Sequence, residues 1–529
     1  MMITENMKKI FCLAGALLLL TACSLDENPK DQIPEEKAYN TEEALYRNAV
    51  ATLYAYIGGN VDGEGLQGMG RGVYDLQTFG SDEAMLPTRG GDWYDGGLWQ
   101  SMYKHSWDAG NEIVKNAWVY LYKVITLCNR SLEKLEAHTG LDDSHRLLTY
   151  RCEVRALRAI YYWYLLDLYG NVPIVTTSEI PLSEILQSNR EEVFNFAVQE
   201  LTQSLALLAT ENSAHEGDYY GRVTQPVAYF VLAKLMLNAS VYLEGSSAYE
   251  IYRETYYDRC LAYCERLEEL GYRLENNYAD NFLVFNQFSA ENIFTIPMDD
   301  YLFSNLQENM RRSLHYRHAT AYGWTGENGT SATLQALDIY GYGTQQVDKR
   351  FNTNFYADEV TDLEGITVTD RIGEPLVYYP DQLELDLSDS PFKETAGARM
   401  RKYQVDKNAT KDGKLIDNDI VLFRFADVLL MKAEAKMRLG LDGSDDLNAV
   451  RLRAGMPEVE CTPQNLLNER LMELFWEGWR RQDLIRFGEY KSLYSGMDAV
   501  DESDGHTRLY PIPADALKLN PKLKQNPGY

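Results

Sequence analysis

Asn418–Gly488 reads NDIVLFRFADVLLMKAEAKMRLGLDGSDDLNAVRLRAGMPEVECTPQNLLNERLMELFWEGWRRQDLIRFG, and its spacing decides the fold class. Leu422, Ala426, Leu429, Leu430, Ala433 and Met437 fall on one face of a 3.6-residue period. They predict a helix over roughly Leu422–Leu439, stopped by Gly440 as a left-handed cap. A second, shorter helix is expected over Leu447–Ala454, ended by Gly455 with Pro457 just beyond. A third opens on Thr462 as N-cap with Pro463 in the first position, and its apolar stripe runs through Leu467, Leu471, Leu474, Phe475 and Trp479. Neighbouring apolar stripes must cover one another, so the stretch is a packed helical layer.

The same stretch is dense in charge. Glu469, Glu473 and Glu477 stand four residues apart, a like-charge row that is unfavourable alone. Arg480 and Arg481 are placed to pair with Glu477, and Arg451 and Arg453 to reach over from the preceding helix. This reads as a structural ion-pair seam between helices. Catalytic carboxylates would need a cleft and a shifted pKa, for which the sequence offers no sign.

Upstream, helices are expected in pairs: Glu112–Ala137, Asp142–Tyr169, Arg190–Leu208, Gln225–Leu243 and Thr255–Leu270, with an earlier one over Thr41–Ile57. Paired helices of this length, rich in Ala, Leu and Tyr, make a helical-repeat scaffold, so the chain is expected to be mainly α. Two regions break the period. Val73–Trp107 reads as a long aromatic loop. Residues 276–417 form a loop-rich insert with a strand over Glu291–Met298 and a second aromatic loop over Tyr316–Gly329. Gly63-Glu64-Gly65-Leu66-Gln67-Gly68 matches a dinucleotide fingerprint in letters only, since a helix precedes it and more glycines follow.

The wording NDIVLFRFADVLLMKAEA, NAVRLRAG and NERLMELFWEGWRRQDLIRFG, with the closing LYPIPADALKLNPKLKQNPGY, resembles the C-terminal half of the SusD/RagB family. EVRALRAIYYWYLLDLYGNVPIV, SNREEVF and GRVTQPVAYFVLAKLMLNA are similar to its N-terminal half. The resemblance implies a tetratricopeptide-like helical scaffold over residues 39–275. It also implies a C-terminal region over 276–529, divided into the insert 276–417, a helical part 418–490 and a tail 491–529. It further implies an outer-membrane nutrient-binding lipoprotein, not an enzyme, partnered with a SusC-like TonB-dependent transporter.

The N-terminus fits that implication. Lys8 and Lys9 precede an apolar run over Ile10–Leu20, too short to span a bilayer but suited to a signal peptide over 1–22. Leu20-Thr21-Ala22-Cys23 resembles a lipobox, with Cys23 acylated and residues 23–38 as an acidic tether. Removal of the leader leaves Cys128, Cys152, Cys260, Cys264 and Cys461, an odd set with at least one thiol lacking an intramolecular partner. Cys128 and Cys152 fall on adjacent helices, either bridged or buried as small apolar side chains.

Composition narrows the ligand. A net charge of −28 argues against nucleic acid. No zinc spacing, Walker loop or nucleophile elbow appears, so no metal or cofactor is expected. The 38 tyrosines outnumber Phe and Trp together, and a phenol offers a flat apolar face with a hydroxyl. Sugar rings stack on such faces while their hydroxyls need carboxylate or guanidinium partners. The candidate ligand residues are therefore Trp93, Tyr94, Trp99 and Trp324 with Asp75, Asp82, Arg89 and Asp92. Two rivals stand beside an oligo- or polysaccharide ligand. One is an oligopeptide on the same fold. The other is a helical glycoside hydrolase, which needs two carboxylates facing across a cleft where Asp82 and Glu83 are merely adjacent.

Overall fold

The computed structural model describes residues 38–529 apart from 60–63, 68–69, 139, 141–145 and 300–304. The leader, Cys23 and the tether up to residue 37 lie outside the described residues.

Glu112–Ala137 forms over the expected span. Asn111 caps it by accepting the amides of Ile113 and Val114 at 2.9 and 3.3 Å. Arg146–Tyr169 packs against it, and Arg190–Ser204, opened by a reciprocal Asn189/Glu192 capping box, packs against that. Gln225–Leu237 is apolar on nearly every side and sits between Ser247–Glu269 and the C-terminal half. There Phe230 stacks on Phe423 at 4.4 Å and Trp163 on Trp479 at 5.8 Å, fusing the two halves into one core. The chain is mainly α, tetratricopeptide-like, with short two-stranded sheets mostly in the loop-rich parts.

Several expectations fail locally, among them the second aromatic loop, which opens with a helix over Tyr316–Ala321. The first C-terminal helix starts at Phe425, because Ile420–Arg424 is a strand antiparallel to Asn292–Ile296. Both strands are buried on both faces, so the apolar run shows no alternation to separate it from a helix. The third helix ends at Leu474. Trp476 (φ +62°) and Gly478 (φ +80°) turn the chain before a new helix over Arg480–Phe487, closed by Gly488 (φ +75°). Val73–Trp107 is not all loop either: it holds helices Val73–Thr78 and Leu98–Tyr103 and a strand, Ala84–Met85, paired with Ser331–Ala332.

The turn at 475–479 rearranges the charge seam. Arg480 and Arg481 do not pair with Glu477; they reach Asp82 at 2.6 Å and Asp167 at 2.8 Å. Glu477 instead takes Arg424 at 2.8 Å and Lys402 at 2.6 Å. Arg451 and Arg453 pair across helices as expected, with Glu469 at 2.7 Å and with Glu473. Arg424, fully buried, also holds Glu291 and Glu473, and Arg350 joins Glu469 to Glu473, both at 2.7 Å. Burial alone would raise the Glu473 pKa; Arg453, Arg424 and Arg350 outweigh it and hold the carboxyl below its usual range. At Lys402 burial wins instead: it outweighs Glu477 and brings the ammonium pKa down to about 8. Cys128, Cys152, Cys260 and Cys264 are free thiols in the interior, and Cys461 is a free thiol at its edge.

Candidate functional site

The first aromatic loop turns at Arg89-Gly90-Gly91-Asp92. The Arg89 and Asp92 backbones bond each other at 2.9 and 3.3 Å, with Gly90 at φ +70°. Trp93 follows in the left-handed region, φ +63°, an uncommon conformation for a bulky side chain. Its indole holds it there. Nε1 donates to the Glu327 carbonyl at 2.9 Å, and the ring lies so close to Gly329 that a Cβ there would sit 2.8 Å away. Trp99 meets it edge-on at 6.1 Å. With Trp93 pinned, the next residue is pushed outward: Tyr94 is 54% exposed. Asp92 is exposed too, and Tyr316 donates its hydroxyl to Asp92 at 2.5 Å from the start of the helix Tyr316–Ala321. Burial and the Asp92 carboxylate together push the Tyr316 phenol above its ordinary pKa, so it stays a donor. Beside them Asp95 accepts the Trp99 indole at 2.8 Å and Arg71 at 3.0 Å, and Arg71 also pairs with Glu112 at 3.0 Å.

The expected site therefore divides. Asp92, Trp93 and Tyr94 come to the surface together, and five others do not. Asp75 is buried against Arg312 at 2.7 Å. Asp82 is clamped by Arg480 through both oxygens, at 2.6 and 2.7 Å. Arg89 is buried and donates to the carbonyls of Lys393 and Ala396 at 2.9 and 3.0 Å and to Ser331 at 2.8 Å, which ties the two loops together. Trp99 packs on Phe79 at 5.4 Å. Trp324 is 4% exposed and fills the space over Gly413, where a Cβ would lie 2.5 Å from its Cγ. Each is spent on holding the loops to the scaffold, so none offers a free face to a ligand. The size that makes an indole attractive as a platform is also what drives its burial.

The hydrolase pair fares no better. Asp82 is locked by Arg480, while Glu83 is buried and accepts the Trp476 amide. Burial pushes Glu83 up to about 8 despite that bond and nearby Arg480. The two carboxyls are thus fixed in separate buried contacts. Nothing in the sequence singles out Tyr316 beyond its place as one of three aromatics, with Tyr322 and Trp324, in the second loop.

Exposed phenol, indole edge, carboxylate and guanidinium together offer a flat apolar face bordered by hydrogen-bond acceptors and donors. Among the described residues no group of three or more His, Cys, Asp or Glu is placed to hold a metal ion.

Comparison with known proteins gives two family matches. Residues 290–529 match a model described as the SusD family, and residues 69–237 match one described as starch-binding, associating with outer membrane. The starch-binding protein SusD of Bacteroides thetaiotaomicron is 26% identical over 99% of this chain and the whole of that protein. Among solved structures, surface glycan-binding protein A of the same species, in complex with laminarihexaose, superimposes with a TM-score of 0.69 at 21% identity. That match covers 92% of this chain and 99% of that one. A SusD-like protein from Bacteroides fragilis gives 0.71 at 20% identity, over 94% and 100%.

Proposed function

The chain belongs to the SusD family, and from that premise we propose that it binds a glycan on the surface built by Asp92, Trp93, Tyr94 and Tyr316, without cleaving it. The observation that carries the assignment is the exposure of Tyr94, 54%, on a loop whose neighbouring aromatics are buried or half-buried. A scaffold that holds Trp93 in a left-handed conformation beside an exposed tyrosine presents a rigid platform, which keeps the ordering cost of binding low. The relatives support the ligand class, being named for binding starch and surface glycans. The protein works at the outer membrane, held by lipid on Cys23, and passes its glycan to a SusC-like TonB-dependent transporter.

Calorimetry of the soluble chain from Ser24 onward against neutral polysaccharides tests the reading. Binding by the wild type that weakens in Trp93→Ala and Tyr94→Ala supports it; equal binding by both variants displaces the site, and binding of peptides alone overturns the ligand class. Cys23→Ala should move the full-length protein out of the membrane fraction, and retention through detergent-free washes would remove the anchor.

A further inference from the structure

A second feature of the loop-rich insert stands apart from the Tyr94 surface. Val360, Val368, Leu376 and Tyr378 form a small core of their own, with Tyr356 packed against it, separate from the main core. This lobe is stitched by the Asp358–Glu359 strand paired with Val377–Tyr378 and by bridges Thr361–Thr367 and Thr369–Pro375. It faces a wall of the main body made by Phe282, Phe351, Phe355 and Tyr403, and the cleft between them measures about 650 Å³. Clefts between separately cored units in the range of ~300–1,000 Å³ are the usual place for small ligands.

The chemistry of the two lips differs in sign. Asp358 and Glu359 are exposed on the lobe, and Arg401 and Lys407 are exposed on the body. No ion pair engages Asp358, Arg401 or Lys407 among the described residues, in a protein whose interior charges are otherwise extensively paired. The Arg401 guanidinium instead lies over the half-buried Tyr356 ring, 5.2 Å from its centre. An anionic ligand would be repelled by one lip and a cationic ligand by the other. A polyol suits both, because each hydroxyl donates to a carboxylate and accepts from a guanidinium or ammonium. The buried rings of Phe282, Phe351, Phe355 and Tyr403 close the base, and the half-buried Tyr356 leaves part of an apolar face against which the C–H side of a sugar can rest.

The cleft also borders the first surface. The helix Tyr316–Ala321 carries Tyr316, bonded to Asp92, at one end, and Tyr322 just beyond its other end lines the cleft and donates to Tyr356 at 3.2 Å. Six residues of helix span about 9 Å, on the scale of a short oligosaccharide.

We propose that this cleft is a second carbohydrate site, taking a short neutral oligosaccharide between Asp358 and Glu359 on one lip and Arg401 and Lys407 on the other. The proposal rests on the glycan-binding reading above and extends it from one surface to two. The test titrates the soluble chain with laminarihexaose, maltohexaose, xylohexaose, cellohexaose and mannohexaose, and with a tryptic peptide digest. It uses wild type, Tyr94→Ala, the rim variant Arg401→Ala/Asp358→Asn and the combination of all three changes. The rim changes lie on exposed side chains, and asparagine tolerates the left-handed backbone at 358, so folding is retained. A bound hexaose should lose roughly tenfold in affinity in the rim variant, with a further loss in the combination. Wild-type affinity and stoichiometry in the rim variant would overturn the second site while leaving the first intact. Failure of the wild type to bind any of the hexaoses would overturn both readings. Peptide binding that the rim variant weakens would overturn the carbohydrate assignment of the cleft.

Discussion

Glu473 and Asp92 are both carboxylates beside strong hydrogen-bond donors, and the fold treats them in opposite ways. Glu473 is fully buried among Arg350, Arg424 and Arg453, both its oxygens committed to fixed guanidiniums. Asp92 sits at the surface with a bond from Tyr316 and the rest of its acceptor capacity facing solvent. The difference teaches that charge density is no guide to function in this chain. The charged brace between helices is dehydrated, while the Asp92 carboxylate and the Tyr94 phenol stand open to solvent. A buried ion pair is costly to break because the surviving partner remains desolvated, whereas an exposed one is worth little to stability and stays available to a ligand.

Four expected outcomes press on that contrast, taken from the largest effect to the smallest. Glu473→Ala should destabilise the protein by about 3–5 kcal/mol, since it takes from three buried arginines the counter-charge they share. Chemical denaturation reads the loss, and a midpoint unchanged from wild type would show that the brace is dispensable. A second buried set of ion pairs, in which Lys234 and Arg470 hold Asp427, Arg470 and Arg486 hold Asp483, and Arg486 holds Glu434, sets the acid limit together with Glu473. Glu473, Asp427, Glu434 and Asp483 are all held below their usual pKa by neighbouring cations that outweigh burial. Their contribution is complete above the ordinary carboxylate range and is lost as pH falls below about 4.

Glu83 works in the reverse sense. Its pKa is raised to about 8, so the folded state favours the protonated form and stability declines as pH climbs from about 4.5 to about 8. Glu83→Gln should therefore gain stability over wild type at pH 9, by an amount on the order of a few kcal/mol, and little or none at pH 4.5. Thermal melts at the two pH values check it; an equal gain at both would mean that the carboxyl is not the cause.

On the surface side, Tyr94→Ala should weaken glycan binding by about 1–3 kcal/mol and leave the melting temperature alone. A drop in stability that matches the drop in affinity would turn Tyr94 into another loop anchor. Smallest of all, Tyr316→Phe removes the hydroxyl over Asp92 and should change affinity only a few-fold. Loss of all binding in that variant would mean that Asp92 needs its partner to hold shape, which is the behaviour of the buried brace.

Local signals in the sequence determined a good part of this protein. Asn111 before Glu112–Ala137, Asn189 with Glu192, and Thr462–Pro463 mark helix starts through bonds within a few residues, so they are readable without the rest of the chain. The long amphipathic runs fixed the helical scaffold, and the length of the matching wording fixed the family. What remained hidden depended on partners far away in sequence. Ile420–Arg424 is a strand because Asn292–Ile296 lies beside it, and its apolar letters alone read equally well as helix. Asp82 looked like a ligand residue until Arg480 closed on it, and Trp324 until Gly413 came up beneath its ring. Exposure belongs to the assembled surface, since a side chain is open or buried only after distant segments have packed around it. The tertiary structure therefore decided that Tyr94, rather than the indoles of Trp99 and Trp324, is left facing water.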